Sequence, residues 1–223
     1  NRTISTILSF QNEVAITDDI AKLIKADLYI VAVNDDQISE ISKSLPFSER
    51  FVVHTCGAVN IHDLDKKNRR GVFYPLQTFS KSKIMDFEHV PLCIEALDKE
   101  DYFTLKSIAE SLHSPLYKFS SEHRITLHLA AVFINNFSNH LYRIGHEISD
   151  TKQINFDLLR PLIQETATKI QHMSPYLAQT GPGMRNDKKT IKKHLKLIEK
   201  PLHKDLYELL TKSIKNTHGI KKL

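Results

Sequence analysis

The hydrophobic pattern of the chain changes its period near residue 120. Before that point, short apolar runs such as DLYIVAVND (27–35) and RFVVHTCGAV (50–59) alternate with segments such as DQISEISKSLP (36–46), whose apolar residues recur at helical spacing. A short continuous apolar run that ends in turn residues is typical of a strand buried on both faces. Strands that alternate with helices predict an α/β sheet in which most strands are parallel.

The alternation of predicted strands and helices continues to about residue 119, and only helices are predicted after it. Further predicted strands lie in GVFYPLQTF (71–79), VPLCIEAL (90–97) and PLYKF (115–119), and a predicted helix over 99–112 separates the last two. From Ser120, which has the chemistry of an N-cap, every segment is helical: we predict helices over 120–149, 156–173, after Asn186 or Asp187, and over 202–217. We therefore expect an α/β domain over 1–118 and an all-helical domain over 119–223.

The composition is that of an ordinary globular protein. The chain has 223 residues, of which 41% are hydrophobic and 26% are charged. It contains no apolar run of about 18 residues and no signal-peptide pattern, so we expect no membrane partner. Cys56 and Cys93 are the only cysteines and indicate no disulfide framework, which makes the cytoplasm the simplest location.

The net charge of +5 raises the question of a polyanionic partner. Much of the charge lies in KKTIKKHLKLIEKPLHK (188–204), where the lysines surround Ile191, Leu195 and Ile198 at helical spacing. That pattern is typical of the solvated face of an amphipathic helix, so we expect no nucleic-acid partner. The twelve histidines form no HExxH motif and no i, i+3 or i, i+4 pair, and we therefore expect no metal site.

Polar residues, a glycine and a proline follow three of the predicted strands. Ligands of α/β proteins bind at the carboxyl ends of the strands, and these ends read VND (33–35), HTCG (54–57) and YPLQT (74–78). Ordinary turn chemistry could explain any one of them; three together favour a site. The predicted cofactor ligands are Val33, Asn34, Asp35, Thr55, Cys56 and Gly57, and Gln77 is a predicted substrate ligand.

A dinucleotide-binding domain normally carries G-x-G-x-x-G after its first strand, and none of the six glycines forms that motif. The chain begins instead with Asn1, Arg2 and Thr3. At the end of a strand these residues would suit the 2′-phosphate of NADP, because arginine offers a bidentate fork and the other two add neutral hydrogen bonds. An arginine at the start of a chain is, however, more often simply solvated.

Six segments in this order resemble a bacterial family in which a Rossmann-like NADP-binding domain precedes a helical domain of unknown function. They are NRT (1–3), IVAVNDDQISEI (30–41), VVHTCGAV (52–59), FYPLQTF (73–79), HLAAVFINNFSNHL (128–141) and TGPGMRND (180–187). The family is related to pyrroline-5-carboxylate reductase, 6-phosphogluconate dehydrogenase and the deazaflavin-dependent NADP oxidoreductases. The resemblance implies that NRT binds NADP, that the first βαβ unit with its glycine-rich turn lies upstream of Asn1, and that the helical domain forms a homodimer.

The segment after Ser120 combines an apolar face with an unusual number of amides. With a step of about 100° per residue, one polar stripe contains Arg124, His128, Asn135, Asn139, Tyr142 and His146. The stripe could face solvent, could hydrogen-bond to neighbouring helices, or could face a cleft between the two domains. In the related dehydrogenases this helix carries a lysine followed four residues later by an asparagine. That asparagine falls on Asn135, whereas the lysine position is Ala131. We therefore take His128 and Asn135 as candidate catalytic residues, and Asn135 and Asn139 as substrate ligands.

The loop QTGPGMRND (179–187) resembles the T-G-P-x-x-R-x-D loop of the same family. It would present Arg185 to a carboxylate or phosphate, while Asp187 could cap the next helix. The whole pattern predicts an NADP-dependent oxidoreductase acting on a small, anionic metabolite. The alternative is a dinucleotide- or metabolite-sensing protein of the same fold without turnover, which Ala131 favours.

Overall fold

The computed structural model describes residues 5, 7–80 and 84–219. The chain divides into two compact units, Asn1–Ile134 and Asn135–Leu223, which we call the sheet unit and the helical unit. The predicted boundary at 118/119 marks a change of sequence pattern and stays a prediction about domains.

The sheet unit contains a five-stranded sheet in the order β1-β2-β3-β4-β5. The strands are β1 (Tyr29–Val31), β2 (Phe51–His54), β3 (Arg69–Pro75), β4 (Leu92–Ala96) and β5 (Leu116–Lys118). The pairs β1–β2, β2–β3 and β4–β5 are parallel, and β3–β4 is antiparallel. The predicted α/β fold with a mostly parallel sheet is confirmed. Because β1, β2 and β3 run the same way, their carboxyl ends meet at one edge of the sheet.

Strand β2 is buried on both faces, as its continuous apolar sequence predicts. Phe51 and Val53 belong to one core cluster with Leu105 and Ala109, whereas Val52 belongs to a second cluster. Alternate residues of a strand point to opposite faces, so the two clusters cover the two sides of the sheet. The first cluster is closed by helix α2 (Lys99–Ser111) and the second by α1 (Ile38–Ser44).

A long helical segment begins at Ser120, whose hydroxyl oxygen accepts a hydrogen bond from the His123 N–H at 3.3 Å. It comprises α3 (Ser121–Ala131), a π-helical segment (Val132–Phe137) and α4 (Ser138–Asp150). The predicted extent is confirmed, but the helix is not uniform. A π-turn closes its hydrogen bond one residue later than an α-turn, so the following face rotates by roughly 100°. The single polar stripe drawn at a constant step is therefore wrong beyond residue 131.

The helical unit continues with a short 3₁₀ turn (Phe156–Leu159), α5 (Arg160–His172), α6 (Pro175–Ala178), α7 (Lys188–Leu197) and α8 (Pro201–His218). Asn155 caps the 3₁₀ turn by accepting from the Asp157 N–H at 2.9 Å. Asp187, rather than Asn186, caps α7 by accepting from the Thr190 N–H at 3.0 Å. The lysine-rich segment 188–204 is not one helix, because Pro201 begins a new one. None of the described helices has the length and apolar character needed to cross a membrane.

Candidate functional site

The loop that follows β2 is held in place by a buried arginine from α3. Arg124 is only 1% exposed, and its Nη1 donates to the carbonyl oxygens of Cys56 at 2.7 Å and Gly57 at 2.9 Å. Its Nη2 donates to the carbonyl oxygen of Val59 at 2.6 Å. Burial lowers the pKa of Arg124, and the Glu95 carboxylate 3.6 Å away acts in the opposite direction. An arginine remains charged at neutral pH, so this guanidinium fixes three carbonyls of one loop.

His128 lies one turn further along α3 and packs against the same loop. Its Nδ1 is 3.2 Å from the Tyr74 hydroxyl at the end of β3. A Cβ atom on Gly57 would lie 2.5 Å from that Nδ1 and 2.8 Å from Cζ of Tyr74. Only a glycine fits between the two rings without moving one of them. The structure thus brings together Gly57 and His128, which the sequence singled out, and adds Tyr74.

His54, the last residue of β2, is completely buried beneath this loop. Its Nδ1 accepts a hydrogen bond from the Cys56 N–H at 3.1 Å, and its Nε2 has no hydrogen-bond partner among the described residues. Burial, followed by the charge of Arg124, lowers the pKa of His54 to about 4, while the Asn60 backbone and two carboxylates act in the opposite direction. His54 is therefore neutral at pH 7, with its hydrogen on Nε2.

Asp35, which is exposed, acts on two further residues at this edge of the sheet, Cys56 and Tyr74. Burial raises the pKa of Cys56, and the neighbouring Asp35 raises it further. The pKa of Tyr74 is raised first by burial and also, more weakly, by Asp35. The thiol and the phenol are therefore uncharged at neutral pH. Of the other predicted ligands here, Thr55 is half-buried and three are exposed: Val33, Asn34 and Gln77.

The candidate ligands of the helical unit are all exposed. The side chains of Asn135 and Asn139 form no hydrogen bond with the side chain of another described residue. Arg185 follows Gly181, whose φ of 97° is in the left-handed region. Whether these three bind a substrate, and whether they face a cleft, stays a prediction. Asn1, Arg2 and Thr3 lie outside the described residues.

Two contributors to the site were missed by sequence reasoning. Arg124 was placed on the polar stripe without a role, although its position four residues before His128 could have suggested that both reach the same loop. Tyr74 begins the quoted segment YPLQT, but nothing in the sequence distinguishes it from the other tyrosines. His54 was noted only as the first residue of the strand end HTCG (54–57).

The sheet is mostly parallel, is covered on both faces and is followed by a helical region. This is the architecture of Rossmann-like proteins with a helical second domain. The family profile "Domain of unknown function (DUF2520)" matches residues 90–214. The chain belongs to the DUF2520 family, and the expected family resemblance is confirmed.

Solved structures similar to this protein match nearly the whole chain. A "putative NADP oxidoreductase" from Bacteroides fragilis is 39% identical, with a TM-score of 0.88 over 97% of this chain and 86% of that one. A protein from Thermotoga maritima is 22% identical, with a TM-score of 0.71 over 88% and 80% of the two chains. A "putative oxidoreductase" from Mycobacterium avium shares the fold at 11% identity, with a TM-score of 0.61 over 99% and 88%. A comparison with curated protein sequences gave no match.

Proposed function

We propose that this protein is an oxidoreductase that transfers hydride between NADP and a small, anionic metabolite. The observation that carries the proposal is the arrangement at the carboxyl ends of β2 and β3, where Arg124 fixes the loop at Gly57 and His128 packs against it. Support comes from the Bacteroides fragilis protein, whose name includes NADP oxidoreductase and which is 39% identical to this chain.

The residues at this edge fit a nicotinamide cofactor. The segment after β1 is exposed and accessible, and the loop after β2 is rigid because three of its carbonyls are bound by one guanidinium. His54, the Cys56 thiol and the Tyr74 phenol carry no charge at pH 7, which leaves the Arg124 guanidinium and the Asp35 carboxylate as the charged groups beside them. The cofactor supplies or accepts the hydride.

We assign the cofactor to two strand ends and the N-terminal segment. Its proposed ligands are Val33, Asn34, Asp35, Thr55, Cys56 and Gly57, and Asn1, Arg2 and Thr3 would select the 2′-phosphate of NADP. His128 is the proposed acid–base group, and Asn135 orients the reacting substrate. Gln77 and Asn139 are proposed substrate ligands, together with Arg185, whose fork suits a carboxylate or phosphate.

The test is a hydride-transfer assay on the full-length protein with NADPH and a panel of oxo and imino acids. His128→Gln should reduce turnover by roughly 10²–10⁴-fold, the usual contribution of a positioned acid–base group. His123→Gln is the matched control, because His123 is exposed on the same helix. Turnover that survives in His128→Gln would remove His128 from the mechanism.

Cofactor choice is tested separately by calorimetry with NADP and NAD. Arg2→Ala should weaken NADP binding by about ten- to hundredfold, since a hydrogen bond to a charged group contributes roughly 1.5–3 kcal/mol, and it should leave NAD binding unchanged. If the wild-type protein bound both cofactors equally, the assignment of Asn1, Arg2 and Thr3 would be wrong.

A second candidate function is a dinucleotide- or metabolite-sensing protein without turnover. Ala131 favours it, because a lysine occupies this position in the related dehydrogenases. Tight NADP binding together with no turnover on any acid of the panel would select this function over the first.

We also propose that the protein is a homodimer formed through the helical unit. Many apolar side chains of this unit are at least 60% exposed in the single chain, including Leu158, Leu162, Leu177, Leu197, Leu202 and Leu209. Apolar surface of this extent marks an interaction site, and closed two-fold dimers are the commonest solution for soluble chains.

A further inference from the structure

The Tyr74 hydroxyl has one hydrogen-bond partner among the described residues, the Nδ1 atom of His128 at 3.2 Å. If Nδ1 carried a hydrogen and donated it, the phenol hydrogen would have no acceptor in the described part of the chain. A phenol that donates to Nδ1 satisfies both groups. Burial raises the pKa of Tyr74, so the phenol keeps this hydrogen at neutral pH. A neutral His128 therefore carries its own hydrogen on Nε2.

The position of the imidazole is fixed from two further sides. The α-carbon of Gly57 approaches its ring so closely that an added Cβ would lie 2.5 Å from Nδ1 and 2.8 Å from Cγ. The carbonyl oxygen of Gly57 is itself held by Arg124 at 2.9 Å, from the preceding turn of the same helix. The Tyr74 and His128 rings meet edge to face, at an interplanar angle of 75°. Helix, loop and strand thus restrict the ring together.

The geometry points to Tyr74 as a positioning residue that holds His128 in the tautomer whose Nε2–H is available to a ligand. No described residue forms a hydrogen bond with Nε2. An N–H at this place suits an oxygen acceptor, such as the carbonyl or carboxylate of an oxo acid. When the imidazole is protonated, the phenol oxygen accepts from Nδ1–H instead, and Nε2–H remains the outward donor. The identity of the ligand rests on the proposed function, whereas the tautomer is a property of the free protein.

The test is nitrogen NMR of the full chain labelled with ¹⁵N-histidine, at a pH where the His128 ring is neutral. The His128 signals are those missing from His128→Gln. We expect Nδ1 to resonate as an unprotonated nitrogen and Nε2 as a protonated one. In Tyr74→Phe, both should move to the averaged positions of mixed tautomers. Tyr117→Phe is the matched control, because Tyr117 is half exposed on β5, and it should leave the signals unchanged.

Once the His128 signals are assigned, the wild-type spectrum can overturn the inference, so the test does not depend on Tyr74→Phe being folded. A hydrogen on Nδ1 of neutral wild-type His128, or signals unchanged in a folded Tyr74→Phe, would show that Tyr74 does not hold the tautomer. Gly57→Ala should displace the ring and average the signals in the same way. If the tautomer is as expected while no oxo or imino acid is reduced, Tyr74 keeps its positioning role and only the proposed reaction fails.

Discussion

The sheet unit and the helical unit bury their apolar side chains to very different extents. Among the described residues, all the buried apolar side chains except Ile144 and Ile198 lie in the sheet unit. The sheet unit has a dense core on both faces of β2, whereas the helical unit keeps most of its leucines at least partly exposed. The sheet unit is therefore stabilised by its own interior, whereas the helical unit buries little apolar surface within itself.

The two units also use charge differently. In the sheet unit a single fully buried arginine organises a loop through carbonyl oxygens. In the helical unit the charged groups pair on the surface, as Glu147 does with Arg143 and Lys200, both at 2.7 Å. A buried charge is costly to disrupt, while an exposed pair contributes little. Replacing an arginine should therefore destabilise the protein more when it is the buried arginine of the sheet unit than when it is an exposed one of the helical unit.

The largest expected effect concerns the proposed dimer. Light scattering should give wild-type protein a mass of twice 25.7 kDa. Leu162→Glu combined with Leu209→Glu should give a monomer, because burial of a leucine contributes roughly 1.5–3 kcal/mol and four leucines are lost per dimer. Phe103→Glu, on an exposed residue of the sheet unit, is the control and should stay dimeric. A wild-type monomer at micromolar concentration would show that the helical unit does not need a second copy.

Arg124→Ala should produce the next largest effect. It leaves three carbonyl oxygens and Glu95 without their buried partner, so we expect a loss of about 3–5 kcal/mol in the free energy of unfolding. Arg143→Ala is the counterpart in the helical unit; its side chain is 67% exposed, and we expect less than about 1 kcal/mol. Urea titrations followed by circular dichroism measure both. Equal losses would contradict the contrast between the two units.

Acid should weaken the sheet unit before it weakens the ion pairs of the helical unit. The pKa of His54 is about 4 in the folded protein against an ordinary 6.5. Between these values the unfolded chain binds a proton that the folded protein does not, so stability is full above pH 6.5 and falls as the pH decreases to 4. The difference between these two pKa values corresponds to about 3 kcal/mol in the free energy of unfolding. Urea midpoints from pH 7 to 4 should follow this course, and His54→Gln should flatten it.

The folded protein favours the charged form of the Glu147 carboxyl group, whereas it favours the neutral form of His54. Its hydrogen bonds with Lys200 and Arg143 lower its pKa from 4.5 to about 2. Its contribution is therefore complete above pH 4.5 and is lost only as the pH falls towards 2. Hydrogen exchange measured at pH 5 should show faster opening of β2 than at pH 7, with α4 unchanged. Simultaneous loss of protection in both elements would contradict the assignment.

The smallest effects separate capping from ligand binding in the loop before α7. Asp187 accepts hydrogen bonds from the Thr190 N–H at 3.0 Å and the Thr190 hydroxyl at 2.7 Å, so Asp187→Ala should lower the melting temperature through loss of the N-cap. Arg185→Ala should change stability by less than about 0.5 kcal/mol, because this side chain is exposed. If Arg185 holds an anionic substrate, only its variant should weaken ligand binding. Thermal melts with and without ligand distinguish the two roles.

Short-range sequence signals were sufficient to predict the strands and helices and the residues at which several helices begin. The apolar runs predicted each strand, because a strand buried on both faces must be apolar at successive positions, and β2 meets that condition. Ser120, Asn155 and Asp187 predicted helix starts, since a cap bonds to an N–H only two or three residues away. The rule for parallel strands also gave the correct edge of the sheet for Asp35, Cys56 and Gly57.

Tertiary structure alone decided the contacts that Arg124 and His128 make at the carboxyl ends of β2 and β3. Arg124 binds a carbonyl oxygen 67 positions earlier in the chain, and His128 meets a tyrosine 54 positions earlier. No periodicity encodes such pairs, because they depend on where α3 crosses the end of the sheet. The π-helical segment 132–137 likewise has no local signature, yet it rotates the face that a constant helical step would assign to Asn135 and Asn139. Local hydrogen bonding is set by neighbouring residues, whereas a buried guanidinium or a glycine between two rings is selected by the packing of distant elements.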